Sequence, residues 1–162
     1  MTPLERYREL YDYEIDCNSK MLAMIESVPE ANRSEERFQK AVSLAGHLAA
    51  CRENWLDRMV DGGANQTDWY DASCSLSGLR ERFAGLQERW ARYLDELTDE
   101  ARESDFSFTM RNGERGTIPI EVQILQLICH APYHRGQIAL LVDQLGGETV
   151  DTDYLYWTFR DS

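Results

Sequence analysis

The chain carries three histidines, His47, His130 and His134. The last two stand four apart in Ile128-Cys129-His130-Ala131-Pro132-Tyr133-His134-Arg135-Gly136-Gln137. On a helix that spacing sets both imidazoles on one face, one turn apart. Two neutral imidazoles so placed can fill two corners of a metal's coordination sphere. His47 lies far upstream on another predicted helix and is the candidate third ligand. Three neutral ligands with room left for water have the composition of a catalytic, open metal site. Imidazole suits zinc, nickel, copper and iron alike, so donor type alone does not choose the ion.

Helical geometry points the pair inward. Ile120, Ile124, Leu127, Ala131, Ile138, Leu141 and Leu145 form an apolar stripe. His130 and His134 project within about 60° of its centre at about 100° per residue. A buried imidazole must satisfy one donor and one acceptor nitrogen. A metal takes one nitrogen from each ring, and an outer oxygen takes the other N–H. The plainer alternative is a pair of core histidines bonded to Gln126 or to backbone carbonyls. Pro132, between the two, either kinks the helix and aims the rings or breaks it. The apolar period runs on unchanged past it, so a continuous helix is expected. Ala131 stands where an H-E-x-x-H protease carries its general-base Glu, which argues against that class. No G-x-S-x-G, Walker loop or dinucleotide glycine fingerprint is present, and Gly113 and Gly116 read as turn residues.

Four long amphipathic segments must position these rings. Helix one is predicted from Pro3 to about Val28, capped by Thr2 with Glu5 closing a capping box. Asn18 falls on its apolar stripe, where it either fixes packing through a hydrogen bond or lines a cavity. Helix two is predicted from a Ser34 cap to Gly62-Gly63, with Ala41, Leu44, Leu48, Trp55 and Met59 inward. His47 sits on the flank of that stripe, and Cys51 follows one turn later as a possible further ligand. Residues 61–75 read as a loop whose Trp69 and Tyr70 anchor it on the core, with lining of a pocket mouth as the alternative. Helix three covers about Ser77 to Leu97. Phe106, Phe108 and Met110 alternate with polar residues before Asn112-Gly113, predicting a two-stranded ribbon or extended segment over Phe106 to Ile118. Helix four spans Ile120 to Leu145, and the aromatic segment Thr152 to Phe159 is a short terminal helix. The fold class is therefore all-α: a four-helix bundle, one domain over residues 1–162, of the kind that builds metal sites between facing helices.

Bulk composition excludes several functions. The net charge is -12 with no basic stripe. Nucleic acid, which requires clustered Lys and Arg, is not an expected partner, and anionic membrane surfaces are disfavoured. No apolar run approaches the roughly 20 residues of a membrane span. Cys17, Cys51, Cys74 and Cys129 are dispersed, and Met1-Thr2-Pro3 opens a helix rather than a signal peptide. Reduced thiols in a cytoplasm are the expectation.

The two-part histidine pattern resembles a known family. His47 in Ala45-Gly46-His47-Leu48 and the closing His130-Ala131-Pro132-Tyr133-His134-Arg135-Gly136-Gln137-Ile138 look like the DinB/YfiT-like metalloenzymes. Leu10-Tyr11-Asp12-Tyr13 through Asn18 and Met21-Leu22 are similar, though less specific. The resemblance implies a divalent metal, commonly zinc or nickel, on His47, His130 and His134, and a homodimer. It also implies relatives that act as transferases or isomerases on low-molecular-weight thiols. Within the motif, Arg135 is read as a structural salt-bridge residue, Gly136 as permitting close helix packing, and Gln137 as lining the site. The leading expectation is a thiol-dependent S-transferase with a small-molecule substrate. A metal-dependent hydrolase is one rival; Asp151 or Asp153 could serve as its base if the C-terminal segment folds over the site. A non-catalytic metal- or ligand-binding protein is the other.

Overall fold

The computed structural model describes residues 1–71, 73–110 and 112–159. It is a helical bundle of α1 (Pro3–Glu26), α2 (Glu36–Asp61), α3 (Leu76–Glu96) and α5 (Ile120–Gln144). A short α4 (Asp99–Glu103), a ribbon of β1 (Asp105–Thr109) and β2 (Arg115–Pro119), and a short α6 (Tyr154–Thr158) complete it. The capping box at the start of α1 forms as expected: Glu5 N donates to Thr2 Oγ1 at 3.2 Å, and Thr2 N donates to Glu5 Oε2 at 2.7 Å. Ser34 does not cap α2. That helix starts two residues later, behind Glu35, with no side-chain cap. Its far end is a glycine stop, with Gly62 at φ 66° in the left-handed region that favours residues without a Cβ.

The apolar stripes meet as their periodicity requires. Met21 and Ile25 of α1, Ala41 and Ala45 of α2, Leu79 of α3 and Ile138 and Val142 of α5 fill one end of the core. Trp90 and Leu86 of α3 with Ile124 and Leu127 of α5 fill the other. One charged pair crosses this interior. Arg52 on α2 donates from Nε to Glu14 on α1 at 2.8 Å, and both residues are buried. The guanidinium also lies over the rings of Trp90 and Tyr11, 4.8 and 5.4 Å from their centroids.

The ribbon pairs antiparallel, Asp105 opposite Pro119 and Thr109 opposite Arg115. Gly113, at φ 86°, is a turn residue as expected. Gly116 is not: it lies inside β2 opposite Phe108, and a Cβ there would meet the Phe108 ring at 2.7 Å. The bare backbone lets that ring lie flat across the ribbon. Phe108 then packs edge-on against Trp55 of α2, at 4.8 Å between centroids, which fixes the ribbon to the bundle. Pro132 leaves α5 continuous on its exposed side. At the other end of the chain α6 sets Trp157 and Tyr154 against Tyr13 of α1. Among the described residues no helix is long and apolar enough to cross a membrane.

Candidate metal centre

The three imidazoles converge. One ligating nitrogen from each of His47, His130 and His134 lies within 4.8 Å of the others. His47 Nε2 and His130 Nε2 are 3.4 Å apart. Two nitrogens bound to one tetrahedral zinc, each at about 2.0–2.1 Å, would stand roughly 3.3 Å apart. The α2–α5 packing therefore brings nitrogens separated by 83 positions in sequence to within coordination spacing. His47 and His134 are buried and His130 is half-buried.

Neighbouring oxygens fix which nitrogen faces the centre. His47 Nδ1 donates to the Trp69 carbonyl at 2.8 Å. His134 Nδ1 donates to Gln137 Oε1, also at 2.8 Å. Each bond holds its ring in the tautomer whose Nε2 carries a bare lone pair. Lone pairs gathered in a sparsely hydrated space repel one another unless a cation sits between them, so the donor set fits a divalent metal. Burial pushes the His47 and His130 imidazoles below their usual pKa. The Trp69 hydrogen bond pulls His47 back up, while the neighbouring imidazoles add to the depression. Burial thus favours the neutral form of His47 and His130, the form that ligation demands.

Loop residues 62–75 contribute more than anchoring. Tyr70 stacks on His47, with ring centroids 4.2 Å apart and planes 3° from parallel. It also lines the mouth of an adjacent cavity. Trp69 does both jobs: its carbonyl orients His47, and its ring packs edge-on against Trp55. Gly46 explains part of the loop's path, since a Cβ there would meet Cys74 Sγ at 2.7 Å. The cavity has a volume of about 690 Å³ and opens beside His47. Trp55, Trp69, Tyr70 and Phe108 supply aromatic walls, and Arg58, Gln123 and Gln126 the polar ones.

The remaining candidates separate. Gln137 lies at the centre as the hydrogen-bond partner of His134. Cys51 Sγ lies 3.4 Å from His47 Nε2 and 3.8 Å from His130 Nε2, and burial drives its thiol pKa up to about 12. Asn18 belongs elsewhere. It lines a separate cavity between α1 and α3 beside Glu14 and Arg52, because α1 turns that part of its stripe toward α3. Arg135 forms no ion pair among the described residues. It is buried with Nε and Nη1 unbonded and its guanidinium 5.8 Å from the Tyr13 ring. Gly136 relieves no crowding within the bundle, since a Cβ there would meet open space. Gln126 bonds to Gln123 rather than to either histidine. Asp151 and Asp153 are not folded over the imidazoles: Asp151 accepts from Asp153 N, and the α6 that follows packs on Tyr13.

A helical bundle with imidazoles converging from two facing helices belongs to the class of proteins that hold a metal between helices. The DinB family profile matches residues 1–160, and the chain is a member of that family. Membership and the histidine cluster together support a divalent metal as its cofactor. No curated protein matches the chain closely enough to lend it an activity.

Proposed function

We propose that this protein is a metal-dependent S-transferase, joining a low-molecular-weight thiol to an electrophilic small molecule, with the metal on His47, His130 and His134. One observation carries the proposal. The imidazole cluster borders a roomy aromatic cavity whose described lining includes no carboxylate and no serine. A hydrolase would want a carboxylate base near its water, whereas a thiol brings its own nucleophilic sulfur. A divalent cation held by three neutral ligands keeps its full charge and would lower the pKa of a thiol beside it. The protein's own groups do the rest. Trp69 and Gln137 hold the rings of His47 and His134 in register, and the aromatic walls exclude water from the sulfur.

The test is to load the protein with zinc or nickel and add 1-chloro-2,4-dinitrobenzene with cysteine, glutathione or another small thiol. Turnover lost in His47→Ala supports the reading, and no rate above background with any thiol overturns it. Elemental analysis of untagged protein belongs beside it, and equal metal content in wild type and His47→Ala would remove His47 from the site.

The position of Cys51 favours a second reading. A tetrahedral zinc with sulfur at about 2.3 Å would set that sulfur roughly 3.6 Å from each ligating nitrogen. Cys51 Sγ lies close to that spacing from two of them. A sphere closed by this thiolate makes a binding protein rather than an enzyme. Cobalt-loaded protein decides it: strong sulfur-to-cobalt charge-transfer absorption that vanishes in Cys51→Ser favours the closed site.

The proposed assembly is a homodimer. Val122, Leu125, Cys129, Tyr133, Gly136 and Leu140 are all exposed on α5. They fall within a wedge of about 80° at 100° per residue, the narrow seam that two packed helices share. Bare Gly136 lies on that seam, where close packing would be between copies.

A further inference from the structure

The cavity beside the histidines holds a cation that the proposed chemistry does not use. Arg58 lines it, three helical turns beyond His47 on α2. Eleven residues advance about 16 Å along a helix and return to within about 20° of the same face, so both side chains address one cleft. The guanidinium is held by aromatic rings, 4.6 Å from the Trp55 centroid, 5.1 Å from Trp69 and 5.5 Å from Phe108. Its Nη2 donates to the Thr109 carbonyl at 3.2 Å. No ion pair engages it among the described residues. The adjacent Asp57 is turned away, accepting from the Asn65 backbone and side chain and from Gln66.

This arrangement runs against the chain's composition. Twenty-nine acidic residues face seventeen basic ones, yet the described cavity lining has a guanidinium and no carboxylate. Stacking on rings pre-positions the guanidinium, and beyond the Nη2 bond to Thr109 its remaining N–H donors suit a planar carboxylate. Rings that hold a cation from the side also offer a flat apolar surface to a ligand's body. Among the described lining residues Arg58 is the one permanent cation, and its planar fork suits a carboxylate.

We infer that the cavity selects substrates bearing a carboxylate at the end of an apolar or aromatic body, with Arg58 as the specificity-determining residue that binds it. The inference rests on the cavity being the substrate site of the proposed transferase. The carboxylate lies at the Arg58 end and the reacting group at the His47 end, so the preferred molecules are elongated. Trp69 couples the two ends, since its ring supports Arg58 while its carbonyl orients His47.

The experiment uses zinc-loaded full-length protein and two probes of equal shape, 4-phenylbutyrate and its neutral amide, titrated by tryptophan fluorescence and calorimetry. The acid is expected to bind at least tenfold more tightly than the amide. Arg58→Gln should abolish that ratio with zinc content unchanged and the chain still folded by circular dichroism, and Arg58→Lys should keep part of it. Equal binding of acid and amide overturns the inference, as does a preference that survives in Arg58→Gln, which would place the carboxylate on the metal. Both outcomes are separable from failure of the transferase: the acid preference can stand with no thiol transfer, and thiol transfer can stand with no acid preference.

Discussion

Two of the three imidazoles at the centre, those of His47 and His134, depend on an oxygen one bond further out. Losing such a partner frees the ring to rotate and lowers metal affinity about 10–100-fold in comparable sites. Gln137→Leu should therefore weaken zinc binding by that order while leaving the helix intact, as measured by competition with a chromogenic chelator. His134→Ala should lose more. Protons compete for the same lone pairs. Burial holds the His47 and His130 pKa values below 6.5 in the folded chain. Between that depressed value and 6.5 the unfolded chain binds more protons than the folded one, so stability rises with pH across this window and falls as pH drops through it. Thermal melts of the metal-free protein from pH 7.5 downward should show that decline, and a His47→Gln/His130→Gln double variant should flatten it.

At the scale of elements, the buried Glu14–Arg52 pair ties α1 to α2. Removing one member strands the other charge in the core, a cost of about 3–5 kcal/mol. Arg52→Ala should lose that much in urea denaturation, whereas surface changes such as Arg37→Ala should not. The loop over His47 is the other joint. Gly46→Ala should push Cys74 away at a cost of about 1–3 kcal/mol for the overpacked contact, and adding Cys74→Ala should restore most of it. These joints also mark where sequence reading ends. The i, i+4 spacing of His130 and His134, and the flank position of His47, follow from helical period alone, and the centre was legible from them. The Trp69 carbonyl and the Tyr70 stack were not, because a loop's path has no period. Arg58 did leave a signal, eleven residues from His47 on the same face, but only a cavity shared with Trp55 and Phe108 gives that register meaning. Asn18 was correctly set on an apolar stripe. The rotation that turns it toward α3 depends on how the helices pack, which one helix's pattern does not encode.

For the whole molecule, the exposed α5 seam predicts self-association. Leu125→Glu with Tyr133→Glu should shift the proposed dimer to monomer in sedimentation velocity without unfolding it, and a wild-type chain that sediments as a monomer would overturn the dimer. The four long helices, the ribbon and the terminal helix were all readable from hydrophobic period and turn chemistry. The exposed seam was hidden in a motif whose conspicuous residues drew attention to the opposite face.

The 83-position separation between His47 and His130 has a thermodynamic side. A shared ion between them is a removable staple across half the polypeptide, and ring closure over so long a span takes much disorder from the unfolded ensemble. Withdrawing that ion with a chelator would then shorten the folded lifetime, since chains lacking the staple would open more often and be cut sooner by an added protease.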